Sequence, residues 1–297
     1  MNETLRFIDP NILASITSME LRARAVVEGF LSGLHKSPFK GFSVEFAEYR
    51  LYTPGDDPRH IDWKVYARTD RFYVKEFEEE TNLACHLLLD LSRSMTYSSG
   101  GLRKLDYAGY LAASLAYLMA RQRDAVGLFT FGDEIVDYVP AKVRTGHLHT
   151  VLNTLSAIQP VQRTDLGKPL HTLAEALQKK GMLILISDLL DDPEKIIESL
   201  EHFRFLGHDV LVFHVLDPAE LTFPFHSTTR FVGLEDEGSL MAVPENVRAA
   251  YLERLKAHIS RLRSGCGVNH IDYTVLDTSK PLDFALQAWL ATRAGKM

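Results

Sequence analysis

Cysteine is nearly absent: the 297 residues hold two, Cys85 inside an apolar run and Cys266 between two glycines, where a turn is expected. A pair so far apart in sequence implies no disulfide framework. Long apolar runs are missing too. No stretch approaches the roughly 18 residues of a membrane span, and the start, MNETLRFIDPNIL, has no basic segment followed by an apolar core. The expectation is therefore a soluble, cytoplasmic protein with no membrane span. Excess positive charge is also lacking. With a formal net charge of −6 and basic residues scattered among acidic ones, the chain gives a nucleic-acid duplex little to hold. G-x-x-x-x-G-K-[ST], H-E-x-x-H and G-x-S-x-G do not occur. Nucleotide hydrolysis by this chain, a zincin centre and a serine nucleophile elbow lose their usual sequence basis.

What is present is material for a large core, with 46% hydrophobic and 24% charged residues. From about residue 83, short aliphatic runs alternate with helical patterns. LACHLLLD, AVGLFTF, MLILIS, DVLVFHVL and IDYTVL read as strands covered on both faces. Between the first two, Ala108, Leu111, Ala112, Leu115, Leu118 and Met119 recur at three- and four-residue spacing, which predicts a helix. Further helical patterns fill residues 147–158, 168–180, 193–206, 244–264 and 281–293. This alternation predicts an α/β fold with a doubly wound, mostly parallel sheet. FGDEIVDYVP, directly after AVGLFTF, fits a hairpin that adds an antiparallel edge strand.

The first 80 residues differ. Thr17 and Glu20 make a capping-box signature ahead of a stripe of Leu21, Val26, Val27, Phe30 and Leu34. FSVEFAEYRLYTP and RFYVKEFEEE follow as a strand pair around the turn-rich PGDDPRHIDW. The expected organisation is an N-terminal helical arm and strand pair over 1–80, and an α/β domain over 81–297. In PGDDPRHIDW and just beyond it, Asp56, Asp57, Arg59, Asp62 and Arg68 suit an ion-pair network with Trp63 as an anchor. The same residues also suit a partner-docking surface. His147 and His149, two apart on a helical pattern, point to different faces and suggest no zinc site.

The chemistry concentrates at strand ends, where open parallel sheets gather their ligands. LLLDLSRSM leaves the core at Asp90 and spaces Ser92 and Ser94 two apart; ISDLLDD places Asp188 after another strand; RTDLGKPL carries Thr164 ahead of a helix. Magnesium takes oxygen ligands in near-octahedral geometry and keeps several waters. Hydroxyls of Ser92, Ser94 and Thr164, with Asp90 and Asp188 acting directly or through water, meet that demand. A carboxylate from a partner protein then takes the open position. Two rivals stand beside this reading. In one, the side chains merely cap a turn. In the other, Asp90 is the nucleophile of a haloacid-dehalogenase-like phosphatase, with Lys168 and with Asp188 beside Asp191 or Asp192. That rival expects an aspartate two residues after the nucleophile, where this chain has Ser92.

The five positions Asp90, Ser92, Ser94, Thr164 and Asp188 resemble the metal-ion-dependent adhesion site of von Willebrand factor A domains. YTPGDDPRHIDWKVYAR, ahead of the D-x-S-x-S, resembles more specifically the bacterial domain-of-unknown-function family 58, and the likeness runs from about Gly41 to the terminal helix. It implies a non-enzymatic, metal-dependent protein-binding module. The partner it implies is an AAA ATPase of MoxR type, since family members are commonly encoded beside one. The chain departs at Ser187-Asp188-Leu189, where many von Willebrand A domains have Thr-Asp-Gly. The aspartate stays, and the loop loses a flexible residue.

Overall fold

The computed structural model describes residues 13–14, 16, 18–34, 49–51, 66, 68, 71–75, 84–161, 166–177, 179–234 and 238–294. The chain divides into two compact units, Met1–Lys36 with Leu83–Met297, and Ser37–Asn82. The helix of the expected arm thus belongs to the larger unit, and the strand pair to the smaller.

The larger unit is built on six strands. β3 (Ala84–Asp90), β4 (Ala125–Phe131), β5 (Ile135–Lys142), β6 (Met182–Ser187), β7 (Asp209–Leu216) and β10 (Asp272–Asp277) lie in the order β10-β7-β6-β3-β4-β5. All neighbours are parallel except β4 and β5, which form the expected hairpin. The order reverses between β3 and β6, so the switch point lies at the ends of those two strands.

Side chains alternate across a strand. Leu87 and Leu89 of β3, with Ile184 and Ile186 of β6, enter one core, while Leu88, Leu183 and Leu185 enter the other. Because both faces are covered there, the central strands β3, β6 and β7 are largely aliphatic and show no polar alternation. The first face carries α1 (Met19–Leu34), α2 (Lys104–Arg121), α3 (His147–Ala157) and α8 (Asp283–Ala294). The second carries α4 (Gly167–Ala176), α5 (Pro193–Phe205) and α7 (Pro244–Val268). α2 is buried around most of its circumference, because α1 covers the side that faces away from the sheet. Arg22 of α1 stacks its guanidinium 4.6 Å from the Tyr110 ring centre and donates to the Ile16 and Ala14 carbonyls.

Two sequence expectations need correction. Leu21 is 54% exposed, and the buried stripe of α1 is Ala23, Val26, Val27 and Phe30. Cys266 sits in the last turn of α7 rather than in a Gly-Cys-Gly turn. Its neighbour Gly265 serves close helix packing: a Cβ there would lie 2.3 Å from Ile197 Cδ1 of α5. Burial pushes the Cys266 thiol up to about 12, which keeps it a thiol and unreactive.

Three elements were not anticipated. They are α6 (Pro218–Thr222), the hairpin of β8 (Thr229–Val232) and β9 (Ser239–Ala242), and a 3₁₀ turn at Arg93–Thr96. In the smaller unit, β1 (Tyr49–Leu51) pairs antiparallel with β2 (Tyr73–Lys75), as expected, and Tyr66 stacks on Phe72 at 4.4 Å. No helix among the described residues is long and apolar enough to cross a membrane.

His86, in the middle of β3, is 5% exposed and is pushed down to about 4, by burial first and then by His208. The folded protein therefore resists a proton that the unfolded chain accepts below about 6.5. His86 costs no stability above that pH, and its penalty grows as pH falls toward about 4, by roughly 1.4 kcal/mol per pH unit. Urea unfolding at pH 7 and pH 5 is expected to show a pH-dependent loss smaller by about 2 kcal/mol in His86→Gln than in the unaltered protein. Equal losses would remove the assignment.

Candidate functional site

β3 and β6 run side by side with Leu89 opposite Ile186, so Asp90 and Ser187 end level at the switch point. Asp90 is 1% exposed. Its Oδ1 accepts from the Ser92 amide at 2.8 Å and its Oδ2 from the Ser187 hydroxyl at 2.6 Å. Burial, and next the charge of Asp188, push its carboxyl up to about 7 against the pull of those hydrogen bonds. Ser187 Oγ in turn accepts from the Leu189 amide at 3.0 Å, which folds the loop after β6 back on itself.

Beyond Asp90 the chain enters the 3₁₀ turn, and the Ser92 and Ser94 hydroxyls meet at 2.9 Å. Ser92 makes no side-chain cap on that turn, so turn capping does not account for its hydroxyl. Two neighbouring oxygens of an octahedral shell with bonds near 2.1 Å lie about 3 Å apart. The serine hydroxyls are thus hydrogen-bonded to each other at a spacing that a small hard cation also accommodates.

Asp188 is engaged by a partner that sequence reasoning missed. Lys104, the first residue of α2, is wholly buried, and its Nζ lies 2.8 Å from Asp188 Oδ2 and 2.7 Å from Glu220 Oε1. Burial works to lower its pKa, and the two carboxylates outweigh that and raise it. Glu220 Oε2 accepts from the Asp217 amide at 2.7 Å, closing a capping box in which Asp217 Oδ1 accepts from Ala219 N. Asp217 Oδ2 also accepts from Ser99 N, tying α6 to the loop before α2. Sequence reading missed the Asp217-Pro218-Ala219-Glu220 box, whose signal is an aspartate followed three residues later by a glutamate. Nothing local marked Lys104, whose partners stand 84 and 116 residues away.

Asp90, Ser92, Ser94 and Asp188 thus lie together at the ends of β3 and β6, with Ser187, Lys104 and Glu220 linked to them. Thr164 lies outside the described residues, as do Asp56, Asp57, Arg59, Asp62 and Trp63. Arg68 is described and exposed. Lys168 reaches Glu134 at 3.0 Å, with 65% of its side chain exposed. Asp191 and Asp192 both sit on the loop after β6, and Asp192 caps α5 through the Glu194 amide. His147 sits at the start of α3 against the Val126 carbonyl, with ring nitrogen and oxygen 2.8 Å apart.

A doubly wound sheet with one antiparallel edge and D-x-S-x-S at its switch point defines a von Willebrand factor A-like fold. Within that class, the chain belongs to the family described as "Protein of unknown function DUF58", whose model matches residues 48–261. The uncharacterized protein Rv1480 of Mycobacterium tuberculosis is 30% identical over 221 residues, covering 73% of this chain and 68% of its own. Among solved structures, the conserved hypothetical protein BatB of Bacteroides thetaiotaomicron superposes with a TM-score of 0.50 at 17% identity, over 71% of this chain and 98% of that one. An aerotolerance-related membrane protein of Bacteroides fragilis gives 0.51 at 18%, over 72% and 98%. At such identities the likeness is one of fold.

Removing one partner from a buried ion pair leaves an uncompensated charge and costs about 3–5 kcal/mol. Lys104→Met should lower the unfolding free energy by that amount in urea, because Asp188 and Glu220 lose their shared cation. A loss below about 1 kcal/mol would mean that the pair is weakly coupled to the fold.

Proposed function

We infer that this protein is a non-enzymatic binding module whose contact with a partner runs through a divalent cation, magnesium being the best match. The observation that carries this reading is the 2.9 Å approach of the Ser92 and Ser94 hydroxyls beside buried Asp90, at the switch point of the sheet. The two hydroxyls would hold the ion directly, with Thr164 as the third from the sequence pattern. Asp90, fixed by Ser92 N and Ser187 Oγ, and Asp188, fixed by Lys104, would orient the hydroxyls and hold the ion's waters. A cation in this place supplies an electrophilic position for one outside carboxylate. With Asp90 nearly sealed from solvent and Lys168 turned to Glu134, the phosphatase alternative gains no support. A MoxR-type AAA ATPase as partner rests on the family resemblance alone.

Manganese stands in for magnesium and is readable by electron paramagnetic resonance. One Mn²⁺ site per chain is expected. Ser92→Ala with Ser94→Ala should weaken it tenfold or more while the protein melts within a few degrees of the unaltered chain. Equal affinity in the double variant, or no Mn²⁺ binding in the unaltered chain with acetate present as a carboxylate, would end the cation reading. Phosphate release from p-nitrophenyl phosphate that Asp90→Asn abolishes would establish the phosphatase instead.

A further inference from the structure

Beside the serine pair lies a cavity of about 400 Å³, of a size that takes small ligands or side chains. Ser94 stands in its wall together with Tyr97, Phe223, Phe231, Tyr251 and Leu190. The wall is rigid and aromatic: Phe223 packs against Phe225, Phe231 and Tyr251, with ring centres 5.1, 5.5 and 4.8 Å away. Arg248 of α7 pins this corner by donating to the Phe223 and Phe225 carbonyls. At its rim, Leu190 and Val232 are 54% and 62% exposed, and Leu240, opposite Phe231 on the hairpin, is 64% exposed. Apolar side chains gathered beside a cavity in this way mark a protein-binding surface. The hairpin β8–β9 supplies two of the three, and the cation reading gives it no role.

We propose that this cavity reads the residue next to the carboxylate, so that the module recognises a peptide in which an acidic side chain is directly followed by a bulky apolar one. The proposal rests on the cation reading above and specifies its partner. Ser94 belongs both to the hydroxyl pair and to the cavity wall, so a carboxylate placed at the ion brings its chain directly over the aromatic opening. An extended peptide advances about 3.3 Å per residue, which keeps the side chain after the acidic one within reach of a cavity beside the ion. The occupant is apolar rather than cationic. Glu220, the carboxylate in the wall, already accepts from Lys104 with one oxygen and from Asp217 N with the other, so both of its oxygens are engaged. Most of the surface that faces the cavity is aromatic and aliphatic, and an apolar side chain releases it from water.

The acetylated amides of Gly-Asp-Phe-Gly, Gly-Asp-Gly-Gly and Gly-Asn-Phe-Gly are the probes, titrated by calorimetry in magnesium buffer and again with EDTA. Gly-Asp-Phe-Gly is expected to bind at least tenfold tighter than either of the others, and only with magnesium. Phe231→Ala and the surface change Val232→Gln should reduce its advantage over Gly-Asp-Gly-Gly to threefold or less, with Mn²⁺ affinity unchanged in both. Val232 is 62% exposed, so its variant keeps the test informative if Phe231→Ala folds poorly. Equal binding of Gly-Asp-Phe-Gly and Gly-Asp-Gly-Gly, or binding of neither, with Mn²⁺ still bound, overturns the cavity proposal and leaves the cation reading intact. Binding of Gly-Asn-Phe-Gly as tight as that of Gly-Asp-Phe-Gly, or indifference to EDTA, overturns the joint recognition. Absence of Mn²⁺ binding sinks the underlying reading and this one with it.

Discussion

The ammonium of Lys104 is the charge on which the carboxyl edge of the sheet depends. Taking an ion out of water costs several kcal/mol, and here one cation and two carboxylates are removed together. Contacts of 2.8 and 2.7 Å offset that cost, and Glu220 is held besides by the Asp217 amide. Asp188 follows β6, Glu220 belongs to the short helix after β7, and Lys104 opens the helix after β3. One side chain therefore joins three separate strand-to-helix connections. With Asp217 reaching Ser99 and Asp90 reaching Ser187, those connections form one polar network over an aliphatic sheet.

That network sets the position of everything proposed above it. Glu220 fixes α6, and the end of α6 is Phe223, which holds a left-handed backbone with φ near 48°. The strained residue turns the chain so that its ring joins the aromatic corner with Phe225, Phe231 and Tyr251. The serine pair and the aromatic cavity are thus two sides of one construction: Lys104 touches the carboxylate beside the first and the carboxylate in the wall of the second.

The strands of the parallel sheet were legible because burial on both faces leaves only aliphatic residues between polar turns, as in MLILIS, which is β6 from end to end. The edge hairpin was legible from its alternation and turn. The hairpin β8–β9 was not, since its strands hold Arg230 and Ser239 among exposed Val232, Leu240 and Met241 and follow no core-facing rhythm. Gly265 misled for a related reason: a glycine needed for contact with Ile197 looks in sequence like one needed for a turn. At the site, Asp90, Ser92, Ser94 and Asp188 were readable because each sits within a few residues of an apolar strand. Lys104 and Glu220 were not, because a buried ion pair across a hundred residues leaves no local pattern.

The departure at Ser187-Asp188-Leu189 has a physical resolution. Leu189 adopts φ near 48°, the region a glycine takes without penalty, and a left-handed residue with a side chain costs roughly 1–2 kcal/mol. Full burial of that leucine among the helices of the second face returns about 1.5–3 kcal/mol, so the conformation is sustained. The turn is further held by Ser187 Oγ at the Leu189 amide and by His258, whose Nε2 lies 2.9 Å from the Leu189 carbonyl. Flexibility that a glycine would give is replaced by anchoring at both ends. The next residue, Leu190, is thereby sent outward into the cavity wall at 54% exposure. An inward Leu189 and an outward Leu190 make the loop after β6 a fixed wall, so an approaching ligand meets a surface that is already formed. A ligand bound to such a surface would not have to offset the cost of ordering the loop.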